Sequence, residues 1–210
     1  SFEKRTGLRI VALDEAGKVL AHASLALNDD EKRKAAREKL QELIREHKPV
    51  ALCSGNDLDG READAFFRDT IAECKIEGVE RLLVNEAGAA AYSASRTARD
   101  EFPDAQPALR AAISIGRRLQ NPIAELVKIH PKSIGVGQYQ HDVDPTALKQ
   151  GLDDTVMSCV NAVGVEANTA SAALLTYVSG LGPALAGRIV AWRDEHGPFA
   201  SREDLKRVPR

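Results

Sequence analysis

The segment whose residue types most clearly suggest a chemical function contains two glycines on either side of a leucine, followed by a proline. Residues 179–184 read S-G-L-G-P-A and separate two short amphipathic patterns. Glycine permits positive φ and close backbone approach, and the first amides of a helix lack intrahelical acceptors. Gly180 and Gly182 could therefore help present N–H groups to one phosphate. Such a contact reads no base edges, so it would bind DNA or RNA without sequence preference and weaken as salt rises. An ordinary turn between helices has the same spacing, and spacing alone leaves both interpretations open.

Basic residues cluster beside this segment and in one earlier stretch. The first group comprises Arg188, Arg193, Arg202, Lys206, Arg207 and Arg210. Between residues 105 and 140, five basic residues stand against the single acid Glu125: Arg110, Arg117, Arg118, Lys128 and Lys132. Clustered cations could follow a phosphate backbone. For any one of these residues, the alternative is a solvated surface whose neighbouring acids cancel the field.

The apolar pattern of the first half predicts strands alternating with helices. Apolar runs over 8–13 and 19–25 flank D-E-A-G, which is typical of a hairpin. Further strands are expected over 50–53 and 79–84, and helices over 36–47, over 63–74 and from residue 87. This order predicts a mixed sheet covered by helices.

Helical patterns replace the strand patterns from about residue 106. They cover 111–119, 123–129 and 148–163, and a Gly-rich loop lies over 131–144. Asn168 is predicted to cap a helix carrying Leu174, Leu175 and Val178. Pro183 is expected to begin the next helix, and Ser201 with Asp204 forms a capping-box pattern.

Composition excludes several classes of protein. The 210 residues are 43% hydrophobic and 29% charged, with a net charge of -2, which indicates a globular chain without a global field that attracts nucleic acid. The three cysteines, Cys53, Cys74 and Cys159, fit neither a disulfide framework nor a zinc cluster. We expect a cytoplasmic protein that does not contact membranes. Because it opens at Ser1 on a turn, we interpret the chain as a piece of a longer protein.

Several longer strings resemble known families. The string N-T-A-S over 168–171, the G-L-G-P hairpin and the run from Trp192 to Pro209 resemble helix-hairpin-helix domains of the ComEA and RuvA domain 2 type. Upstream, N-E-A-G-A-A-A-Y-S-A-S over 85–95 and I-H-P-K-S-I-G-V-G-Q-Y-Q-H-D-V over 129–143 resemble the bacterial transcription accessory protein Tex family. Together these resemblances cover nearly the whole chain.

The resemblance implies an α/β domain followed by an all-α module. Residues 1–104 would form a YqgF, RNase H-like domain whose first strand is missing or truncated. Residues 105–144 would be a helical linker with the Gly-rich loop, and 145–210 a helix-hairpin-helix domain with an incomplete second hairpin. The barrel that follows in this family is not part of the sequence.

The same resemblance raises the question of a nuclease. RNase H-like nucleases hold two metal ions with at least three carboxylates. Glu86 is a weak candidate for one of them, or else an acid at a helix N-terminus. The helix that could supply another offers Arg110, and the strand-end position falls at Ser1, Phe2 or Glu3 or lies upstream. We therefore expect a catalytically degenerate domain without a metal or other cofactor.

A second acidic group lies in the segment D-L-D-G-R-E-A-D. Its aspartates are Asp57, Asp59 and Asp64, and D-L-D-G is more typical of a turn than of a ligand set. His130, His141 and Asp142 match no strong metal-ligand spacing, and a role in loop packing is favoured.

The sequence therefore predicts a nucleic-acid-binding fragment of a Tex-like protein. The expected contacts are Ser179, Gly180, Leu181, Gly182 and Ala184, with the basic groups named above as extensions. DNA or RNA is the expected partner, and the resemblance adds RNA polymerase or other transcription proteins. Two alternatives stay open: a metal-dependent, resolvase-like nuclease and a protein-interaction scaffold.

Overall fold

A computed structural model describes the backbone of Phe2 and Glu3 and all of residues 7–209. It divides into two compact units, the first ending at Pro122 and the second beginning at Ile123. The sequence analysis ended the α/β domain at residue 104 and assigned residues 105–144 to a helical linker, and the division after Pro122 falls within that range. The helix Pro107–Gln120 belongs to the first unit because it packs on the strands of that unit.

The first unit contains two small sheets. Strands β1 (Phe2–Glu3), β2 (Gly7–Leu13) and β3 (Val19–Leu25) form an antiparallel sheet in that order. Strands β4 (Ala51–Gly55) and β5 (Glu80–Val84) form a parallel pair. The predicted mixture of strand directions is therefore present, divided between two separately hydrogen-bonded sheets.

The turn between β2 and β3 is built by one aspartate and one glycine. The Asp14 carboxylate accepts the amides of Ala16 at 3.0 Å and Lys18 at 2.8 Å, and Gly17 supplies a φ of +77°. Both devices are local, which is why the sequence predicts this hairpin correctly.

Five helices cover these strands: α1 (Asp30–His47), α2 (Leu58–Cys74), α3 (Ala89–Ala94), α4 (Arg96–Glu101) and α5 (Pro107–Gln120). Asp29 caps α1 and Asp57 caps α2 through bonds to backbone amides. The core joins Leu8 and Leu25 of the hairpin to apolar residues of α1 and α2. Burial of this apolar surface holds the two helices on the strands.

The helix α5 carries polar side chains that bond to turns of the first unit. Arg117 donates to the carbonyl of Gly17 at 2.7 Å, and Gln120 donates to that of Asp14 at 2.7 Å. Leu13 on β2 lies against Gly116, where an added Cβ would come within 2.7 Å of its side chain. This helix therefore fixes the end of the hairpin.

The second unit is helical. Its elements are α6 (Pro122–Leu126, which begins at the last residue of the first unit), a 3₁₀ helix (Pro131–Ser133), α7 (Pro145–Val163), α8 (Ala172–Leu175), α9 (Pro183–His196) and a second 3₁₀ helix (Arg202–Arg207). Val160, Leu174, Leu175 and Ile189 belong to its core. The capping box of Ser201 and Asp204 is confirmed.

The predicted helix cap at Asn168 is wrong. Ser171 caps α8, its hydroxyl accepting the amide of Leu174 at 3.2 Å. The Asn168 side chain instead accepts the amide of Phe199 at 2.8 Å and donates to its carbonyl at 3.0 Å. A carboxamide can donate and accept at once, so Asn168 bonds to both backbone polar groups of one distant residue.

No helix of the described residues is long and apolar enough to cross a membrane.

Candidate nucleic-acid interface

The Gly-Leu-Gly segment forms a tight, exposed connection between α8 and α9. Gly180 has a φ of +85°, and the amide of Leu181 donates to the carbonyl of Val178 at 2.9 Å. A Cβ atom added at Gly180 or Gly182 would meet no atom within 4 Å. Leu181 packs its side chain against the core of the second unit. The backbone around both glycines is therefore open to a ligand while the leucine anchors it.

The open N-terminus of α9 supplies the donors of this site. Gly182 occupies the N-cap position without a side-chain cap, Pro183 follows, and the first helical bond runs from the amide of Ala186. In the part of the chain that the structure describes, the amides of Gly182, Ala184 and Leu185 have no recorded acceptor. We call residues 179–185 the hairpin segment.

Asn161, which the sequence analysis missed, bonds to the backbone at the start of the hairpin segment. Asn161, near the end of α7, accepts the amide of Ser179 at 3.0 Å and donates to the carbonyl of Tyr177 at 2.9 Å. The Ser179 amide is thereby occupied, so among the predicted contacts it is not available for a phosphate. Asn161 lies 18 residues before Ser179, and no local pattern connects them.

The basic residues predicted beside the hairpin segment have different environments. Arg188 and Arg202 are exposed, and neither has a recorded ion pair among the described residues. Lys206 pairs with Glu203, and Arg207 pairs with Asp204 at 3.2 Å. Arg210 lies outside the described residues.

Arg193 is turned into the protein. Its guanidinium donates to the carbonyls of Ala167 at 3.1 Å and Ala170 at 3.0 Å, and its side chain is 17% exposed. This arginine therefore stabilises the loop before α8, and the structure does not bring its charge to the hairpin surface.

The second predicted basic group is not brought together as an exposed patch. Arg110 is buried and donates to the carbonyls of Phe102, Ser93 and Pro103. Arg118 is buried and donates to those of Asn85 and Ala87, and Arg117 donates to Gly17. These arginines close loops of the first unit. In the second unit, Lys128 pairs with the buried Glu125, and Lys132 is half-buried in the 3₁₀ helix.

Glu86 and Asp57 form a carboxyl pair in the first unit, after β5 and β4 respectively. A Cβ placed on Gly55 would collide with the carboxylate of Glu86, so the glycine at the end of β4 makes room for this carboxylate in its present position. Burial raises the pKa of Glu86 to about 7, helped by its hydrogen bond with Asp57 and by the negative charges of Asp57 and Asp59. The same hydrogen bond, with backbone amide bonds, lowers the pKa of Asp57. The carboxyl pair therefore keeps one proton up to about neutral pH.

The other predicted acid of this segment is engaged elsewhere. Asp64 accepts from one nitrogen of Arg81, whose Nη1 lies 2.7 Å from both carboxylate oxygens. Among the described residues, no three His, Cys, Asp or Glu side chains are grouped so that they could hold a metal ion. The strand-end position at Ser1 and the side chains of Phe2 and Glu3 lie outside the described residues.

An α/β unit followed by a helical unit with an open Gly-Leu-Gly hairpin defines a helix-hairpin-helix protein with a preceding α/β domain. The Tex protein YqgF-like domain matches residues 3–120, and the helix-hairpin-helix motif matches residues 160–210. The first match covers more than half of the chain, and the chain therefore belongs to the Tex family.

Similar proteins occur in distant organisms. The chain is 49% identical to "Protein tex" of Bordetella pertussis and 48% identical to "Transcriptional accessory protein Tex" of Neisseria gonorrhoeae, each over 98% of its length. It is 45% identical over 81% of its length to "S1 RNA-binding domain-containing protein 1" of Homo sapiens. It spans 26% and 27% of the two bacterial relatives and 17% of the human one.

The internal role of Arg193 predicts an effect on stability. Arg193→Met removes two charge-assisted hydrogen bonds to carbonyls, so the free energy of unfolding should fall by about 1–3 kcal/mol. Urea unfolding measures this, with the exposed Arg188→Met as the matched control, which should stay within about 0.5 kcal/mol of the parent. Equal stability of both variants would contradict the assignment.

The raised pKa of Glu86 predicts a pH-dependent stability. The folded state keeps the proton up to about pH 7, whereas an unfolded glutamate loses it near 4.5. Protonation therefore favours folding, and this contribution is lost as pH rises through 7. Glu86→Gln mimics the protonated form. It should be more stable than the parent by about 1–2 kcal/mol at about pH 8, after allowing for solvent screening, and equally stable below about pH 4.5.

Urea unfolding across this range, at constant ionic strength, measures the difference between the two proteins. A difference that does not change with pH would show that the carboxyl of Glu86 titrates normally.

Proposed function

We propose that this chain binds the phosphate backbone of DNA or RNA through the hairpin segment, without reading bases. The observation that carries the proposal is the group of amides at Gly182, Ala184 and Leu185, which have no recorded acceptor in the described structure and lie where the glycines leave open space. Backbone amides at a helix N-terminus bind a phosphate oxygen and carry no information about base identity.

Electrostatics support the same assignment. The macrodipole of α9 (Pro183–His196) places partial positive charge at the hairpin segment. Arg188 on this helix and Arg202 in the following 3₁₀ helix are exposed cations that can extend the contact along a strand. Lys206 and Arg207 contribute less, because Glu203 and Asp204 compensate their charge.

A role in transcription is part of the proposal. The relative from Neisseria gonorrhoeae is named a transcriptional accessory protein, and the present chain spans about a quarter of it. We extend that role to the protein that contains this chain. A contact with RNA polymerase stays a prediction from the family resemblance.

The first unit is proposed to act without hydrolysing nucleic acid. Arg110, at the position where a nuclease helix would offer a carboxylate, is buried and bonded to three carbonyls. Asp64 is held by Arg81, and Asp57 caps α2. Asp57 and Asp64 are thus engaged in structural contacts, and Glu86 shares a hydrogen-bonding proton with Asp57.

An acid introduced at the hairpin segment separates binding from folding. Ala184 is exposed in the first turn of α9, so Ala184→Glu interacts favourably with the helix dipole and should leave the thermal midpoint unchanged or slightly higher. The same charge opposes phosphate, so affinity should fall by about tenfold or more. Fluorescence anisotropy with labelled single- and double-stranded DNA and RNA at two salt concentrations measures this.

The matched control is Ala91→Glu, which makes the same substitution at an exposed position of α3 in the first unit. It should keep the parent's affinity. If both variants lose affinity equally, net charge is responsible and not the hairpin segment. If the parent does not bind at low salt, the proposal fails and the scaffold alternative is favoured.

Hydrolysis is tested with the same nucleic acids. Incubation with Mg²⁺ or Mn²⁺ should yield no cleavage products, because the described residues of the unit bring together no group of three metal-ligating side chains and two-metal chemistry requires several carboxylates. Cleavage that Glu86→Gln abolishes would instead establish the nuclease alternative, since that variant keeps the shape of the side chain and removes its charge.

A further inference from the structure

Three aromatic side chains form a stack at the C-terminal end of α9. The rings of Trp192 and Phe199 are nearly parallel, with an interplanar angle of 10° and centroids 4.9 Å apart. The rings of Trp192 and His196 lie 4.5 Å apart at an angle of 9°. Exposure rises along the stack, since Phe199 is buried, Trp192 is half-buried and the side chain of His196 is 48% exposed. The imidazole of His196 is therefore the end of the stack that faces solvent.

The stack is fixed at both ends. At the inner end, Asn168 bonds to both backbone polar groups of Phe199, whose side chain belongs to the core of the second unit. At the outer end, Nδ1 of His196 lies 3.1 Å from the carbonyl oxygen of Trp192. A carbonyl can only accept, so Nδ1 carries the hydrogen and donates, and Nε2 of the neutral ring is left as an acceptor. The orientation of the exposed imidazole is thus set before any ligand arrives.

This imidazole lies on the same helix as the amides of the hairpin segment. Ala184, Arg188, Trp192 and His196 follow one another at intervals of four residues, so each lies about 6 Å further along α9 in a row that winds slowly around the helix. The row begins at the amides without a recorded acceptor and passes the exposed cation of Arg188. It ends at His196, about 18 Å from its start along the helix axis. A nucleic-acid strand bound at the hairpin segment can therefore extend along α9 to the aromatic stack.

The electrostatic character of α9 changes along this row. Its macrodipole places partial positive charge at the hairpin segment and partial negative charge at the opposite end, where Asp194 and Glu195 are exposed. Phosphate is favoured at the first end and opposed at the second. A nucleobase is neutral, and its N–H groups find acceptors in these carboxylates and in Nε2 of His196. The end of α9 therefore suits a base and not a phosphate.

We propose that the outer face of His196 is a stacking subsite for an unpaired nucleobase. This inference rests on the proposed function, because the hairpin segment must hold the strand whose base reaches α9. Every base has a flat ring face, so stacking at this subsite is independent of base identity. Bases inside a duplex are covered by their neighbours and present only their edges in the grooves. The ligand of the complete site is therefore single-stranded DNA or RNA.

The test changes the protein and the ligand together. His196→Leu keeps an apolar side chain beside Trp192 but offers no flat ring, whereas His196→Tyr restores one. With labelled single strands of DNA and RNA of about twelve nucleotides, anisotropy should show that His196→Leu lowers affinity by about fivefold or more and that His196→Tyr keeps it. An abasic strand of the same length should bind the parent about fivefold or more weakly and should not respond to His196→Leu. A long duplex should not respond either.

The matched control is His22→Leu, which makes the same substitution at an exposed position of β3 in the first unit. It should keep the parent's affinity for every ligand. Thermal midpoints of all variants establish that each is folded at the temperature of the binding measurement.

Two results would overturn the subsite while leaving the phosphate contact intact. One is equal binding of the base-containing and abasic strands by the parent. The other is a loss in His196→Leu that is equal for single strands, abasic strands and duplex, because the imidazole would then contact the backbone. If the parent binds no strand of either kind, the proposed function fails and the subsite fails with it. Binding of the abasic strand that Ala184→Glu abolishes keeps the two failures distinguishable.

Discussion

Backbone carbonyls at the ends of helices and strands must find donors where the chain is shielded from water, and long polar side chains meet this need throughout the protein. In the first unit, α5 supplies Arg110, Arg117 and Arg118, which bond to carbonyls between residues 17 and 103. In the second unit, Arg193 donates to a carbonyl of the loop before α8, and Asn168 donates to a carbonyl of the segment after α9.

Because arginines are used to satisfy buried carbonyls, the number of basic residues in the sequence overestimates the number of cations on the binding surface. The cluster between residues 105 and 140 reads as a basic patch in the sequence, yet Arg110 and Arg118 are buried and bonded to carbonyls. Guanidinium groups suit this task because their donors lie in a fixed plane and stay charged. The exposed cations that remain beside the hairpin segment are fewer, which gives the backbone amides a larger share of the proposed phosphate contact.

The sequence predicts those features that depend on neighbouring residues. The hairpin around Asp14, the capping box at Ser201 and most helices follow from spacing over a few positions. It does not predict the contact of Asn161 with Ser179, the bonds of Asn168 to Phe199 or the proton shared by Glu86 and Asp57. These contacts join residues 18 to 31 positions apart, and only the packed chain brings them together.

The hairpin segment differs from the other long helix starts in two ways: its helix N-terminus is uncapped, and its turn is held by a distant side chain. Asp29, Asp57 and Asp144 cap the long helices α1, α2 and α7, so those N-termini already have an acceptor. Gly182, at the N-cap of α9, has no side chain that could supply an acceptor. Asn161 fixes the adjoining turn by its bond to Ser179. A loop that is already ordered loses little conformational entropy on binding, and an uncapped helix gains an acceptor from the ligand itself. Both conditions favour a phosphate oxygen at this position.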